Sequence, residues 1–240
     1  MTIKQQLKSA LIESCDDSLY FSGDETSLID AEYLLTVNSV KSIKKLNSCF
    51  GDPYKIFLEH STAEFSTNCP PPVMKVKTNT PFRRSILRNS KLNTALTGKI
   101  DIAIYDGRAQ LPKPECAIEV KGFNPQKDKI LDDLIRNLEY FTMQANTGTS
   151  RLPSAYFIAL HSYKNTMSDK KEASNLKRVE KRYWNYLSTL QLPSQVKASV
   201  EIFTIRRGLV PDKDDPHTAQ FGLDGTEDYH FMGAIIGYEV

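Results

Sequence analysis

The stretch that decides the fold of this chain runs from residue 98 to residue 123 and reads GKIDIAIYDGRAQLPKPECAIEVKGF. Two apolar runs within it, Lys99–Tyr105 and Glu115–Lys121, have the composition and length of β-strands. Between them, Asp106-Gly107 and the nearby prolines Pro112 and Pro114 are typical of a connection that reverses the chain. The stretch therefore predicts an antiparallel hairpin.

Three charged residues interrupt these apolar runs. A charged side chain inside a strand is costly unless it is paired with an opposite charge or binds a metal. Because side chains alternate along a strand, Glu119 and Lys121 share one face, while Ile118 and Val120 point towards a core on the other. In a hairpin, Asp101 comes to lie beside Glu119 on the neighbouring strand. We therefore predict two carboxylates and an amine on one surface.

This trio suits the hydrolysis of phosphodiester bonds. Carboxylate oxygens are the hard ligands that Mg²⁺ prefers, and the bound ion polarises a phosphate and activates a water. We expect Asp101, Glu119 and the main-chain carbonyl of Val120 to hold Mg²⁺, for which Mn²⁺ can substitute. Lys121 then orients or deprotonates the attacking water, or neutralises charge on the phosphorane. A cross-strand salt bridge between Lys121 and either carboxylate is the structural alternative.

The motif resembles that of the PD-(D/E)XK nuclease superfamily, whose fold is shared by many restriction endonucleases. The matching residues are Gly98-Lys-Ile-Asp101 and Ile118-Glu-Val-Lys-Gly122, with Ile100 where the nominal motif has proline. The resemblance implies an α/β fold with a restriction-endonuclease-like core, in which a mixed central β-sheet is flanked by helices. That core covers about residues 27–162 of a single 1–240 domain, with a C-terminal helix and strand extension.

The resemblance also implies a further metal ligand on the first core helix, and Glu32 in the sequence DAEYLLT matches that position. A capping box at Ser27–Asp30 predicts that this helix begins there and runs to about Leu46. An acidic residue in a first helical turn is also ordinary, because it interacts favourably with the helix dipole.

Hydrophobic periodicity places the remaining elements. Helices are predicted over residues 2–14, from about Asp128 to Ala145, and over Lys170–Leu190, where we expect Trp184 in the core. Strands are predicted at Tyr54–Glu59, Ser154–Leu160, Val196–Ile205 and Phe231–Val240. Prolines at 70–72 and 81 exclude long regular elements between residues 61 and 97, so short strands and a basic loop are expected there.

Charge is unevenly distributed in a chain whose net charge is only +2. The segment Phe65–Ile100 contains no Asp or Glu and is rich in Lys and Arg. Such a block is either a phosphate-binding face or a solvated loop, and charge alone does not decide between them. If it binds nucleic acid, the expected contacts are Arg83, Arg84, Arg88 and Lys99.

Several classes of protein are excluded by what the sequence lacks. It has no apolar run of the roughly 18 residues that a membrane span needs, and its N-terminus turns polar too soon for a signal peptide. The four cysteines show no C-x-x-C spacing, and no G-K-[ST] phosphate loop is present. A cytoplasmic protein without a zinc site or a nucleotide-driven motor is therefore expected.

The leading expectation is an Mg²⁺-dependent endonuclease that cuts double-stranded DNA, of the restriction or foreign-DNA defence type. It would act as a homodimer or with a partner subunit. The alternative is a non-catalytic nucleic-acid-binding or assembly subunit built on a degenerate nuclease fold. Cleavage of RNA, or of DNA only at special structures, also remains open at this stage.

Overall fold

The computed structural model describes residues 2–22, 31–47, 51–72, 86–87, 98–145, 147–164, 168–210 and 227–240. Its helices are α1 (Ile3–Ser22), α2 (Ala31–Lys44), α3 (Thr62–Asn68), α4 (Lys127–Thr142) and α5 (Asp169–Leu187). Its strands are β1 (Tyr54–Ser61), β2 (Ile86–Leu87), β3 (Lys99–Asp106), β4 (Pro114–Phe123), β5 (Gln144–Ala145), β6 (Gly148–Thr149), β7 (Ser154–Lys164), β8 (Lys197–Val210) and β9 (Glu227–Glu239).

The centre of the molecule is a six-stranded sheet with the order β1-β3-β4-β7-β9-β8. β4 and β7 are parallel, and every other neighbouring pair in this sheet is antiparallel. A parallel pair needs a crossover connection, and α4 lies in the chain between these two strands. A separate three-stranded ribbon joins β2, β5 and β6. The predicted α/β class, with a mixed sheet and a β3–β4 hairpin, is confirmed.

Helices cover both faces of the sheet and form two cores. One core joins α3, α4 and α5 to sheet residues such as Ala117. The other joins α1 and α2 to Ile118 and Val120. Because neighbours on β4 alternate between these cores, Glu119 is on the α4 side, as its contact with that helix shows.

The first helix is longer than predicted, since it continues to Ser22 instead of ending near residue 14. After Leu11 its buried positions are Ser14, Cys15 and Ser18, whose small and mostly polar side chains hide the periodicity. Ser14 and Asp17 accept hydrogen bonds from Asn38 of α2 at 3.2 and 2.8 Å. Contacts with a neighbouring helix therefore sustain α1 where its own pattern fades.

Other boundaries also differ from the predictions. Helix α3 was not predicted, although Ser61 caps it by accepting from the Glu64 N–H. Helix α4 ends at Thr142, because the next residues pair in the small ribbon. Trp184 is 43% exposed, so its placement in the core was wrong. The capping box at Ser27–Asp30 lies outside the described residues.

No helix in the described ranges is both long and apolar enough to span a membrane. Cys15, Cys69 and Cys116 are buried free thiols.

Candidate active site

The site forms where β3 and β4 stop pairing with each other. Their last paired residues in this direction are Ile102 and Ile118. Just beyond them, the Val120 N–H donates to Asp101 Oδ2 at 2.7 Å. A side-chain carboxylate thus takes the place of the main-chain acceptor that a continuing ladder would supply. The partners on either side, β1 and β7, stay paired past this point and keep both strands in place.

We call the place where β3 and β4 stop pairing the notch. The ammonium group of Lys121 is surrounded by oxygen atoms there. Its Nζ is 2.8 Å from the Val120 carbonyl oxygen, to which it donates. It is 3.1 Å from Asp133 Oδ2, 3.3 Å from Glu32 Oε1 and 4.0 Å from Asp101 Oδ2. Glu32 comes from α2 in one helix layer and Asp133 from α4 in the other. Lys121 therefore joins both layers at the end of the strand.

Glu119 is held separately by Arg136 of α4. The Glu119 side chain is buried, and the Arg136 Nη1 group donates to its Oε1 at 2.9 Å. The other terminal nitrogen of Arg136 lies 3.4 Å from Asp133 Oδ1, one helical turn away. A continuous chain of alternating charges results. It runs through Glu32, Lys121, Asp133, Arg136 and Glu119.

Burial opposes the ionisation of the acidic members. It raises the pKa of Asp101 to about 6, against the Val120 hydrogen bond and the Lys121 charge, which lower it. Burial raises the pKa of Glu119 well above its usual range, and repulsion from Asp101 and Asp133 adds to the shift. The pKa of Asp133 is also raised, chiefly by burial. This cluster therefore binds protons readily when no other cation neutralises it.

The two basic members hold their protons more tightly than usual. Burial alone would lower the pKa of Lys121, but the nearby carboxylates of Asp133, Asp101 and Glu32 raise it. The pKa of Arg136 behaves in the same way beside Glu119 and Asp133. With all side chains ionised, four carboxylates face two cations, which leaves an excess of two negative charges. One divalent cation would balance that excess.

The donor chemistry fits Mg²⁺, because the available ligands are carboxylate and carbonyl oxygens. One buried atom, Asp133 Oδ2, also lacks a hydrogen bond of good geometry, although Lys121 is close to it. Within the described ranges, however, no three His, Cys, Asp or Glu side chains already converge to hold a metal ion. The cations of Lys121 and Arg136 lie between the acids instead.

The predicted metal and catalytic residues are thus brought together where β3 and β4 stop pairing; they are Glu32, Asp101, Glu119, Val120 and Lys121.

Of the four predicted nucleic-acid contacts, only Lys99 lies within the described residues. Lys99 is exposed beside the site, where its side chain is 3.7 Å from Glu59 and its carbonyl accepts from Arg136. Arg83, Arg84 and Arg88 lie outside the described residues.

Sequence reasoning missed Asp133, and it considered Arg136 only as a possible phosphate contact or a residue of a solvated helix face. A signal for the first was present, because Asp133 lies on the buried stripe of α4 between Ile130 and Asn137. A charged residue in such a stripe requires a partner. Arg136 follows it by three residues and therefore lies on the same side of the helix.

We compared the chain with known protein families, with curated proteins and with solved structures, and none of the three comparisons found a match.

Proposed function

We propose that this chain is a divalent-metal-dependent nuclease with a restriction-endonuclease-like core, and that it hydrolyses phosphodiester bonds in DNA. The observation that carries the proposal is the position of the Lys121 ammonium group. It lies among oxygens of Glu32, Asp101 and Val120, three of the four groups expected to bind the metal. These oxygens are therefore already arranged around a positive charge.

Asp101, Glu119, Glu32 and the Val120 carbonyl are the groups that would hold Mg²⁺ or Mn²⁺. When bound, the ion would polarise the phosphate and lower the pKa of a water. Without the metal, burial lowers the pKa of Lys121, but the charges of Asp133, Asp101 and Glu32 outweigh it and raise the pKa. This favours a role in neutralising charge on the phosphorane over a role as the general base.

Double-stranded DNA is the proposed substrate, in a restriction or foreign-DNA defence role. The acid-free segment Phe65–Ile100 leads directly into the strand that bears Asp101, and Lys99 is exposed two residues before it. A basic segment entering the site in this way suits contact with a phosphate backbone, which dominates affinity for nucleic acid. Action as a homodimer, or with a partner subunit, is part of the same proposal.

The test is incubation with supercoiled plasmid, linear duplex, single strands and RNA, each with and without Mg²⁺. We expect cleavage of duplex DNA that requires the ion and is abolished in D101A and E119A. D132A is the matched control, because Asp132 is an exposed neighbour on α4 outside the charge cluster. Cleavage that persists without the ion, or in both site variants, would refute the proposal.

The second candidate is a non-catalytic nucleic-acid-binding or assembly subunit. The pairing of Glu119 with Arg136 and of Lys121 with Asp133 favours it, since the cluster then serves as a structural charge network. Binding of DNA without Mg²⁺-dependent cleavage of any of the four substrates would select this candidate.

A further inference from the structure

Asp133 contacts the site without belonging to the expected set of metal ligands. Only 5% of the residue is exposed, and its Oδ2 atom lies 3.1 Å from Lys121 Nζ. Its other oxygen, Oδ1, lies 3.4 Å from Arg136. The orientation of the carboxylate is thus set from within α4, and Oδ2 faces the ammonium group of Lys121.

Lys121 must compete with any metal that enters the notch. Its ammonium group contacts the Val120 carbonyl and Glu32, both expected to bind the ion, and lies 4.0 Å from Asp101. Two positive charges at one set of oxygens repel each other strongly at short distance. Binding of the ion therefore requires the ammonium group to withdraw from these oxygens while it remains paired.

We propose that Asp133 is a positioning residue that keeps the Lys121 ammonium group paired outside the metal position. The inference rests on the proposed function. Of the acids that the described residues place around Lys121, Asp133 is the one outside the expected ligand set, and it lies on the α4 side of the notch. If Lys121 kept its contact with Asp133 and gave up those with Glu32 and the Val120 carbonyl, these oxygens would be left to the metal.

Mn²⁺ affinity, measured from the electron paramagnetic resonance signal of the free ion, tests this without any assay of cleavage. In D133N the ammonium group of Lys121 loses the charged partner outside the metal position. It then remains among the oxygens of Glu32, Asp101 and Val120. We expect Mn²⁺ to bind about tenfold more weakly, as is usual when a group that orients a metal site is lost. K121M removes the competing cation and should bind Mn²⁺ more tightly than the wild type.

The decisive variant is the double substitution D133N/K121M. If Asp133 acts through Lys121, the double variant should match K121M within about twofold. If Asp133 attracts the ion only through its own negative charge, D133N weakens binding by the same factor in both backgrounds, and the proposal is overturned. D132N, which removes an exposed charge from the same helix, should leave the affinity unchanged.

Two further measurements keep the outcomes separate. Circular dichroism reports whether each variant is folded, and K121Q repeats the cycle with a neutral side chain that can still donate hydrogen bonds. If the wild type binds no Mn²⁺, the proposed function fails and this inference fails with it. If the wild type binds Mn²⁺ and cuts DNA, but D133N weakens Mn²⁺ binding by the same factor in the wild-type and K121M backgrounds, only the role of Asp133 is refuted.

Discussion

At the scale of single residues, Asp101 shows how a buried carboxylate lowers the stability of the folded protein. Folding raises its pKa from 3.8 to about 6, so the folded state binds the proton more tightly than the unfolded chain does. Stability therefore falls as the pH rises through this window, and the full penalty applies above it. At neutral pH, the buried negative charge of Asp101 therefore lowers the free energy of unfolding.

We therefore expect D101N to be more stable than the wild type at about pH 8 without divalent metal, by about 1–3 kcal/mol. The difference should shrink as the pH falls through the window and vanish below about pH 3, where Asp101 is protonated in both states. Urea unfolding at a series of pH values measures it. An advantage independent of pH would show that the charge is not its cause.

Arg136 illustrates the opposite case, a cation that compensates for a buried acid. In R136M, the buried Glu119 would lose its partner and would either stay charged or take up a proton, so we expect a loss of about 3 kcal/mol at about pH 8. The loss should be smaller at lower pH, where Glu119 becomes neutral by taking up a proton. The double variant E119Q/R136M should recover most of the stability.

R182M serves as the control for this measurement. Arg182 lies on α5 and donates to the Tyr163 hydroxyl at 2.8 Å. Loss of that single hydrogen bond should cost only about 1 kcal/mol. Equal losses in R136M and R182M would mean that Glu119 is not the source of the effect.

At the scale of elements, the separation of β3 from β4 makes the site possible. A ladder that continued past Ile102 and Ile118 would place main-chain groups where Asp101 now accepts from Val120. β1 and β7 keep the two strands ordered while their shared edge opens. Polar side chains can therefore enter the middle of the sheet, where the Asp101 carboxylate pairs the Val120 N–H that would otherwise lack its strand partner.

The acid-free segment Phe65–Ile100, called the basic segment here, is the part of the chain that we expect to bind the DNA backbone. The triple variant R83A/R84A/R88A should lose affinity to a similar extent for all duplex sequences. The slope of log affinity against log salt should flatten by about three, since each lost phosphate contact contributes about one. Fluorescence anisotropy with labelled duplexes at several salt concentrations measures both effects.

A second triple variant on α5 provides the comparison. K177A/R178A/K181A removes the same charge from an exposed face of that helix. We expect a smaller change in affinity and slope, because those residues belong to the helix packed on β8 and β9. If this variant, and not the first, loses affinity, the DNA passes along α5 and the basic segment is a solvated loop.

At the scale of the whole molecule, the candidate site depends on both helix layers. Glu32 approaches Lys121 from the α2 side and Asp133 from the α4 side. The unfolded chain holds none of these groups together. A metal that binds here should therefore bind the folded state far better than the unfolded one.

We expect Mn²⁺ to raise the melting temperature of the wild type. At about 100 times its dissociation constant, the ion adds about 2.7 kcal/mol to the free energy of unfolding. The shift should be lost in E119Q and retained in D132N, and differential scanning calorimetry measures it. An equal shift in E119Q would place the ion elsewhere.

Glu32 tests whether the α2 layer takes part. In E32Q we expect weaker Mn²⁺ binding and slower cleavage, because a ligand or its water-mediated contact is lost. The fold should remain intact, since the Glu32 side chain is only partly buried. Unchanged activity in E32Q would reduce Glu32 to an acidic residue in the first turn of a helix.

The sequence by itself determined the elements whose signals are local. Alternation identified the two strands of the β3–β4 hairpin, and helical periodicity identified α4 and α5, because both patterns arise from backbone geometry within a few residues. The same alternation placed Glu119 and Lys121 on one face. The misfit of charged residues in apolar strands identified Asp101 as their companion.

Only the tertiary structure decided how the charges of the site are paired. Glu32 and Lys121 meet across 89 positions of sequence, and Arg136 reaches Glu119 across 17. No local pattern encodes such contacts, because they depend on where β3 and β4 separate and on how α2 and α4 cross the sheet. The extension of α1 beyond residue 14 has the same origin, since hydrogen bonds from Asn38 of another helix stabilise its polar second half.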